Sequence, residues 1–387
     1  MFPDFPDGRW LRLTALVGLF MSSVLFVLPA PSVHAATDAR GVAVALGDSF
    51  VSGEAGRWLG NSRGGGPSAN GTDRMCILRW WGCELRAGGV YRDGPTEGCH
   101  RSDTAAIETL TTDFERRINL ACSGAIARDI SRPAERGPAS GLPSQADRLE
   151  SVASHHRVSM VLLAIGANDI GFSDLVADCA EAWFAARPGG CRRPGGVSLS
   201  AGLASLRRQV GNAVVSVVSA MTRSGYSREE WDFVVHGYAS PLPRSDGFRY
   251  PENSVRRLLP GGCPFTDADA DWSDSVLVST LNRELRRIAE ARGARFLDLS
   301  HAFDGHRVCE QGSELVGSDG PSGRSAEWFR FLVPCCGLAK RESLHPNAYG
   351  QRAIGTCLDE FITKGSGGWS CRNRPGSGPG SMRLVGL

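Results

Sequence analysis

Ser49 is the residue with the clearest potential for chemistry. It follows the apolar run Val42–Leu46, which predicts a buried strand ending at Gly47. A strand that ends in a tight turn presents the next side chains at the carboxyl edge of a sheet, where open α/β folds bind ligands. A serine hydroxyl there can attack an acyl group. The alternative is an N-cap serine, and this segment taken alone favours that alternative.

Two further strand ends carry groups that would support such a nucleophile. The predicted strand Arg117–Ala121 precedes Gly124, and the predicted strand Val158–Ile165 precedes Asn168. Acyl transfer needs N–H donors directed at the developing oxyanion. The backbone N–H groups of Ser49 and Gly124 and the side-chain amide of Asn168 would supply them. Taken separately, Gly124 could as well be a turn residue and Asn168 a helix cap. The occurrence of such groups at three successive strand ends favours a catalytic site.

A serine nucleophile also needs a base, and His345 is the best-placed histidine. It follows the last predicted strand and directly precedes Pro346 and the last predicted helix, so it can return to the same edge of the sheet. His236 lies inside a predicted strand and is expected to be a core residue. An ordinary histidine loses its proton near about pH 6 to 7, so we expect activity to rise over that range.

The elements that must position these residues alternate along the chain. Strands alternating with helices predict a parallel sheet covered on both faces. The predicted strands are Val42–Leu46, Arg117–Ala121, Val158–Ile165, Phe233–Gly237 and Arg295–Leu299. The predicted helices are Gln145–His156 after Ser144, Leu203–Arg223, Ser275–Arg292 after Ser273 and Asp274, and a last one from Pro346 to about Ile362.

Two irregular regions interrupt this pattern. They are Glu54–Arg101, which is rich in glycine, and the smaller segment Cys179–Gly196. Long ordered loops of this kind are usually functional or cross-linked. Five aromatic residues are candidates for the walls of a substrate pocket, with loop packing as the alternative. They are Trp58, Trp80, Trp81, Phe172 and Trp183.

The two ends of the chain are expected to lie outside the fold. Arg9 and Arg12 precede the apolar run 13–28, and Ala35 and Ala36 are small residues at a cleavage position. This pattern predicts a secretory signal peptide over residues 1–36, with a membrane anchor as the alternative. Residues 37–363 would form the catalytic domain, and the Gly/Ser/Pro/Arg-rich tail 364–387 is expected to be disordered beyond its cysteine.

The cysteines agree with export. All 12 follow the predicted signal peptide, and an exported chain meets oxidising conditions. No Cys-x-x-Cys pair occurs, so a zinc site has no support. Short loops favour Cys76–Cys83, Cys99–Cys122, Cys179–Cys191 and Cys357–Cys371, which leaves Cys263, Cys309, Cys335 and Cys336 to pair among themselves.

Composition excludes several classes of function. The chain has 387 residues, 42% of them hydrophobic, and a formal net charge of +2. That length allows one large domain or two small ones, and the balanced charge gives no support for nucleic-acid binding. Carboxylates do not cluster at ligand spacing, so neither a metal nor another cofactor is expected. We expect a soluble monomer without stable membrane insertion.

The ordered motifs resemble the SGNH hydrolase superfamily, also called GDSL esterases and lipases. The blocks are Gly47-Asp48-Ser49-Phe50, Gly124, Gly166-Ala167-Asn168-Asp169 and His345-Pro346-Asn347. The resemblance implies a three-layer α/β/α sandwich with a five-stranded, flavodoxin-like parallel sheet. It also implies a serine ester hydrolase with Ser49 as nucleophile, His345 as base and oxyanion donors from Ser49, Gly124 and Asn168. The additional cysteines resemble a secreted bacterial branch.

The group that orients His345 is left open by the resemblance. The family often places Asp three residues before the histidine, and that position is Glu342 here. A glutamate side chain can orient an imidazole as aspartate does, so Glu342 is the first candidate. A main-chain carbonyl from this position is the second, and Asp298 or another carboxylate is the third. Asp48 and Asp169 are expected to bond nearby backbone N–H groups.

The expected activity is hydrolysis of a small-molecule or polymer-borne ester through an acyl-enzyme. A lipase and a carbohydrate O-acetyl esterase are both compatible with the sequence. Transfer of an acyl group to another acceptor is a further alternative, and a catalytically silent secreted binding protein with this fold is the weakest.

Overall fold

Strands alternate with helices through most of the chain. The computed structural model describes residues 40–61, 76–79, 82–85, 91, 98–191, 199–316, 322–333, 340–374 and 376–387. The strands are β1 Val42–Gly47, β2 Cys76–Arg79, β3 Gly82–Leu85, β4 Arg117–Asn119, β5 Val158–Ala164, β6 Asp232–His236, β7 Arg295–Asp298, β8 Trp369–Arg372 and β9 Arg383–Gly386. The α-helices are Ser49–Ser52, Ala127–Ser131, Gln145–Ala153, Phe172–Phe184, Leu199–Arg223, Val255–Leu258, Asp267–Trp272, Ser279–Glu290 and Ala348–Thr363.

The main sheet of the described residues contains seven strands in the order β4-β1-β5-β6-β7-β8-β9. Neighbouring strands from β4 to β8 are parallel, whereas β9 is antiparallel to β8. The first five strands have the flavodoxin-like order, with the second strand of the chain outside the first. The predicted α/β/α sandwich is therefore confirmed. Strands β2 and β3 form a separate antiparallel hairpin.

The predicted number of five strands is wrong because the tail adds β8 and β9 to the sheet. The tail has no long apolar run, so its sequence carried no strand signal. Its position is fixed by contacts with the last helix. A disulfide joins Cys357 to Cys371 in β8, and the backbone N–H of Leu384 in β9 donates to Glu360 at 3.0 Å. The expected disorder beyond Cys371 is wrong for the same reason.

The core lies on both faces of the sheet. Residues 42–46 of β1 are all fully buried. Successive side chains of a strand point to opposite faces, so complete burial of β1 requires a layer on each side. Helix Leu199–Arg223 contacts helices Gln145–Ala153 and Ser279–Glu290, while the last helix contacts β8 and β9. Residues from 40 onward belong to one compact unit.

Helix boundaries were predicted with mixed success. Ser144 is the N-cap of helix Gln145–Ala153, as predicted, and accepts a hydrogen bond from the Asp147 N–H at 3.0 Å. The predicted caps Ser273 and Asp274 are wrong. They lie inside a longer helical run that begins after Thr266 and passes through a π-helical segment, Ser273–Val278, before it continues to Glu290. The wide π turn shifts the helical periodicity, so the sequence pattern predicted only the second half of this helical run.

The second irregular region also contains more helix than predicted, because Cys179 lies inside helix Phe172–Phe184. Three predicted disulfides are confirmed. They are Cys99–Cys122, Cys179–Cys191 and Cys357–Cys371. Cys263 pairs with Cys309, within the set that was left to pair among itself. Cys335, Cys336 and the side chains of Cys76 and Cys83 lie outside the described residues.

The predicted signal peptide also lies outside the described residues. Within the ranges that are described, no helix combines the length and the apolar character needed to cross a membrane.

Candidate active site

Ser49 lies in a short helical turn directly after β1. Gly47 ends the strand with φ of 145°, and a Cβ there would lie 2.1 Å from the carbonyl oxygen of Ala164 at the end of β5. A glycine is required because the two strand ends approach so closely. Asp48 is the N-cap, and its carboxylate accepts from the Phe50 N–H at 3.0 Å. Ser49 is therefore the first helical residue and not the N-cap.

His345 lies next to the Ser49 hydroxyl. The distance from His345 Nε2 to Ser49 Oγ is 2.7 Å, and His345 Nδ1 lies 3.0 Å from the backbone carbonyl of Ser343. A carbonyl oxygen can only accept, so Nδ1 carries the proton and donates to it. Nε2 then has a free lone pair and accepts from the serine hydroxyl. This arrangement is that of a serine–histidine pair with a main-chain acceptor as the orienting group.

The bonds of the Glu342 carboxylate, which was predicted to orient His345, are with other side chains and not with the imidazole. Its carboxylate is fully buried and accepts from Arg57 Nε at 2.6 Å, Arg57 Nη2 at 2.9 Å, Trp58 Nε1 at 2.7 Å and the Tyr91 hydroxyl at 2.8 Å. A buried carboxylate is stable only when it is paired and hydrogen-bonded, and these donors satisfy it away from the imidazole. The acceptor at His345 Nδ1 is the neighbouring carbonyl of Ser343.

Asp298, the third candidate, is also occupied elsewhere. Its carboxylate accepts from the Ser300 hydroxyl at 2.6 Å and from the Ser370 hydroxyl at 2.9 Å. The group that contacts His345 Nδ1 is a main-chain carbonyl, as in the second candidate, but it belongs to Ser343 and not to position 342.

Asn168 lies beside the Ser49–His345 pair and is bonded to the residue that follows Gly124. Asn168 lines the same cavity as Ser49 and His345, and its Nδ2 donates to the carbonyl of Ala125 at 2.9 Å. An amide nitrogen has two hydrogens, so the second is available to a ligand. Gly124 precedes Ala125 and has φ of 78°, a backbone conformation that favours glycine. One hydrogen bond thus ties the Gly124 loop to the cavity.

A buried cluster that sequence reasoning missed supports this loop. Glu54 lies five residues after Ser49, and its carboxylate accepts from His100 Nδ1 at 2.9 Å and from the Ser123 hydroxyl at 2.5 Å. Burial alone would raise the pKa of Glu54, but the His100 bond and the charges of His345 and His100 lower it below its usual value. Glu54 therefore stays ionised and places a negative charge near His345.

Asp48 and Asp169 lie in apolar surroundings with neutral donors. Besides the Phe50 N–H, Asp48 accepts from the Tyr238 hydroxyl at 2.6 Å, and burial raises its pKa to about 7. Asp169 accepts from the Ala127 N–H at 3.0 Å, and burial raises its pKa to about 6. Asp48 bonds a nearby backbone N–H as expected, whereas the backbone partner of Asp169 is distant in sequence. Nothing in the sequence identified Tyr238 as a partner of Asp48.

Apart from the polar groups described above, the cavity at Ser49 and His345 is lined mainly by apolar side chains. Its lining includes Phe50, Ile170, Phe172, Pro241, Leu277, Val278, Leu281, Phe329 and Leu344. Of the aromatic residues predicted for its walls, Phe172 lines it. Trp58 is buried against Glu342, and Trp183 donates its indole N–H to the Glu252 carbonyl. Trp80 and Trp81 lie outside the described residues. His236 is buried, as expected, and burial lowers its pKa to about 4.

Comparison with known proteins agrees with a hydrolase of this fold. The sequence model of the GDSL-like lipase/acylhydrolase family matches residues 87–353, which is more than half of the chain. The chain therefore belongs to the GDSL-like lipase/acylhydrolase family. The matched segment includes Gly124, Asn168 and His345, and Ser49 precedes it. No curated protein matches the chain.

Several solved structures are similar to this chain. An extracellular lipase from Streptomyces rimosus has 18% identity and a TM-score of 0.43, over 84% of this chain and 99% of that one. A phospholipase A1 from Streptomyces albidoflavus has 19% identity and a TM-score of 0.43, over 84% of this chain and 100% of that one. A carbohydrate acetylesterase from Sinorhizobium meliloti has 14% identity and a TM-score of 0.35, over 83% of this chain and 97% of that one.

Proposed function

We propose that the protein is a secreted serine ester hydrolase that acts through an acyl-enzyme. The observation that carries the proposal is the 2.7 Å contact between Ser49 Oγ and His345 Nε2, with Nδ1 held by the Ser343 carbonyl. A nucleophile in contact with its base, with the base oriented by a third group, is the arrangement that activates a serine. Membership of the acylhydrolase family supports the reaction class.

The first half of the reaction forms the acyl-enzyme. Ser49 Oγ attacks the ester carbonyl carbon, and its proton passes to His345 Nε2. The Ser49 N–H, the Gly124 N–H and the Asn168 amide stabilise the negative charge that develops on the carbonyl oxygen. When the tetrahedral intermediate collapses, the leaving alcohol takes the proton from Nε2 and departs.

The second half repeats these steps with water. Nε2 removes a proton from water, the resulting hydroxide attacks the acyl carbonyl, and Ser49 leaves with the proton returned by the imidazolium. The Ser343 carbonyl accepts from Nδ1 and holds the ring in place through both halves of the reaction.

Replacement of Ser49 tests the proposal directly. We expect Ser49→Ala to lower kcat for short p-nitrophenyl esters by at least about 10³-fold while the thermal unfolding temperature stays near that of the wild type. A serine-directed phosphonate should label Ser49 and leave Ser52, on the same peptide, unlabelled. Wild-type turnover by Ser49→Ala would disprove the mechanism.

Secretion is the second part of the proposal. Four disulfides among the described residues support maturation in an oxidising compartment. If the N-terminal segment is a cleaved signal peptide, the protein recovered from culture medium should begin at Ala36 or Thr37. Recovery of an intact N-terminus at Met1 in the membrane fraction would contradict this part and support the anchor.

Apolar lining favours an acyl group with a hydrocarbon chain over a carbohydrate acetyl ester. The cavity contacts named above are mostly aliphatic and aromatic carbons, which offer little to the hydroxyl groups of a sugar. Comparison of p-nitrophenyl butyrate with an acetylated polysaccharide tests this choice. Preferential deacetylation of the polysaccharide would favour a carbohydrate esterase, and ester exchange onto an added alcohol would favour an acyltransferase.

A further inference from the structure

A second, smaller cavity lies beside the one at Ser49. The two cavities share four lining residues, Phe172, Pro241, Leu277 and Leu344. The second is completed mainly by apolar side chains, among them Leu175, Val176, Leu242, Phe265 and Trp272. Shared walls mean that a chain held at Ser49 needs to pass only one layer of side chains to reach the second cavity.

Two of the polar residues at the second cavity, Asp269 and Cys179, already have partners. Asp269 is a lining residue, and its carboxylate accepts from the Cys191 N–H at 3.0 Å. Cys179, another lining residue, is held in the disulfide with Cys191. With its carboxylate engaged and its sulfur cross-linked, this cavity is suited to hydrocarbon and not to a polar ligand.

One of the four shared wall residues, Leu277, comes from an unusual piece of backbone. Leu277 and Val278 end the π-helical segment Ser273–Val278, which interrupts the helical run from Asp267 to Glu290. A π turn accommodates an extra residue within a helix and often occurs at functional sites. Leu277 is 3% exposed and lines both cavities, whereas the neighbouring Val276 is 40% exposed.

We propose that the second cavity is the distal acyl-chain subsite of the Ser49 site, and that Leu277 is the residue that limits the length of the acyl chain. The inference rests on the proposed ester hydrolase activity and names its substrate class as esters of short and medium fatty acids. The π turn holds Leu277 at the boundary between the two cavities, so its side chain sets how far the chain can extend.

Cavity size supports short and medium chains. The cavity at Ser49 measures about 70 Å³ and the second about 20 Å³. By the same measure a water molecule needs roughly 10–15 Å³, so the first cavity holds about five groups of that size and the second one or two. A methylene group is similar in size to water. Long acyl chains therefore exceed the combined volume of the two cavities.

A chain-length series tests the proposal. We would measure kcat/KM for p-nitrophenyl esters from acetate to palmitate with the wild type, Leu277→Ala, Leu277→Phe and the matched control Val276→Ala. In a hydrophobic pocket one methylene changes kcat/KM by about 10-fold or more. We expect Leu277→Ala to raise the decanoate-to-butyrate ratio by at least about tenfold, Leu277→Phe to lower it, and Val276→Ala to leave it unchanged.

The acetate ester serves as the internal control for folding and chemistry, because it reaches only the first cavity. Its kcat/KM should stay within about threefold of wild type in the Val276→Ala control, and in each Leu277 variant it is the value to which the longer esters are normalised. A uniform change for every ester, or an unchanged ratio in both Leu277 variants, would overturn the subsite. Turnover by Ser49→Ala would instead overturn the proposed function. If Ser49→Ala is inactive and the decanoate-to-butyrate ratios of the Leu277 variants are unchanged, the subsite is disproved and the proposed function stands.

Discussion

The two sides of the Ser49–His345 pair are built from opposite kinds of side chain. On one side, which we term the polar flank, lie Glu54, Arg57, Tyr91, His100 and Glu342, all buried. On the other side, the apolar flank, the cavity walls are formed by Phe172, Pro241, Leu277 and their neighbours. Each flank carries one disulfide, Cys99–Cys122 on the polar flank and Cys179–Cys191 on the apolar flank.

The difference separates positioning from selection. On the polar flank each carboxylate is fixed by several donors, and loss of one partner leaves a buried charge without compensation. Such groups hold a backbone in one place, as Glu342 does for the adjacent Ser343 carbonyl. Apolar contacts have no preferred direction, so the apolar flank can change shape at modest cost. We therefore expect changes on the polar flank to affect stability and kcat, and changes on the apolar flank to affect substrate preference.

The largest effect is expected from Glu342→Gln. The substitution leaves the Arg57 guanidinium buried without its counter-charge, so we expect it to lower the free energy of unfolding by about 3–5 kcal/mol. Because His345 Nδ1 donates to the Ser343 carbonyl and not to Glu342, kcat of the folded protein should fall by less than about tenfold. A triad acid would instead cost about 10⁴-fold in kcat.

Chemical denaturation and initial rates, both measured well below the unfolding temperature, check these two values. The double variant Arg57→Met with Glu342→Gln is the control, since it removes both charges. It should be more stable than Glu342→Gln alone. A 10⁴-fold loss of kcat in a fully folded Glu342→Gln protein would restore Glu342 as the acid and contradict the positioning role of the polar flank.

Asn168 joins the two flanks, and its removal should give the next largest effect. It lines the apolar cavity and also donates to Ala125 in the loop of Gly124. Loss of one oxyanion donor typically lowers kcat by about 10²–10³-fold. We expect Asn168→Ala to show this loss with KM changed by less than about threefold. An equal rise in KM with kcat unchanged would assign Asn168 to ground-state binding instead.

Sequence patterns predicted the parts of the site that depend on local rules. Asn168 follows a strand whose apolar run is plain in the sequence, Gly124 follows the short strand Arg117–Asn119, and parallel strands end at one edge. The partner of Glu342 could not be predicted, because Arg57 lies 285 positions away and nothing local specifies the pairing. The orienting carbonyl belongs to the backbone of Ser343, which any residue type could supply. The π turn that places Leu277 also has no sequence signature that separates it from an α-helix.

The smallest predicted effect is a change in the pH dependence of stability when Asp48 is replaced. It compares the electrostatics of the two flanks. Glu54, on the polar flank, has a pKa below its usual value, whereas Asp48 has only neutral donors and a pKa of about 7. As pH rises from about 4 to 7, Asp48 ionises in the unfolded chain before it does in the folded one. The folded state therefore loses stability relative to the unfolded state across that window.

Replacement by asparagine removes this slope while the side-chain oxygen can still accept from the Phe50 N–H. The stability of Asp48→Asn relative to wild type should therefore increase between pH 4.5 and about 7.5, as followed by urea denaturation at each pH. His236, whose pKa of about 4 makes stability fall as pH drops below about 6.5, is common to both proteins and cancels. The exposed Asp246→Asn is the matched control for replacement of an aspartate at the surface. A difference between Asp48→Asn and wild type that does not change with pH would mean that Asp48 titrates normally and that neutral donors suffice to hold a buried carboxylate beside the apolar flank.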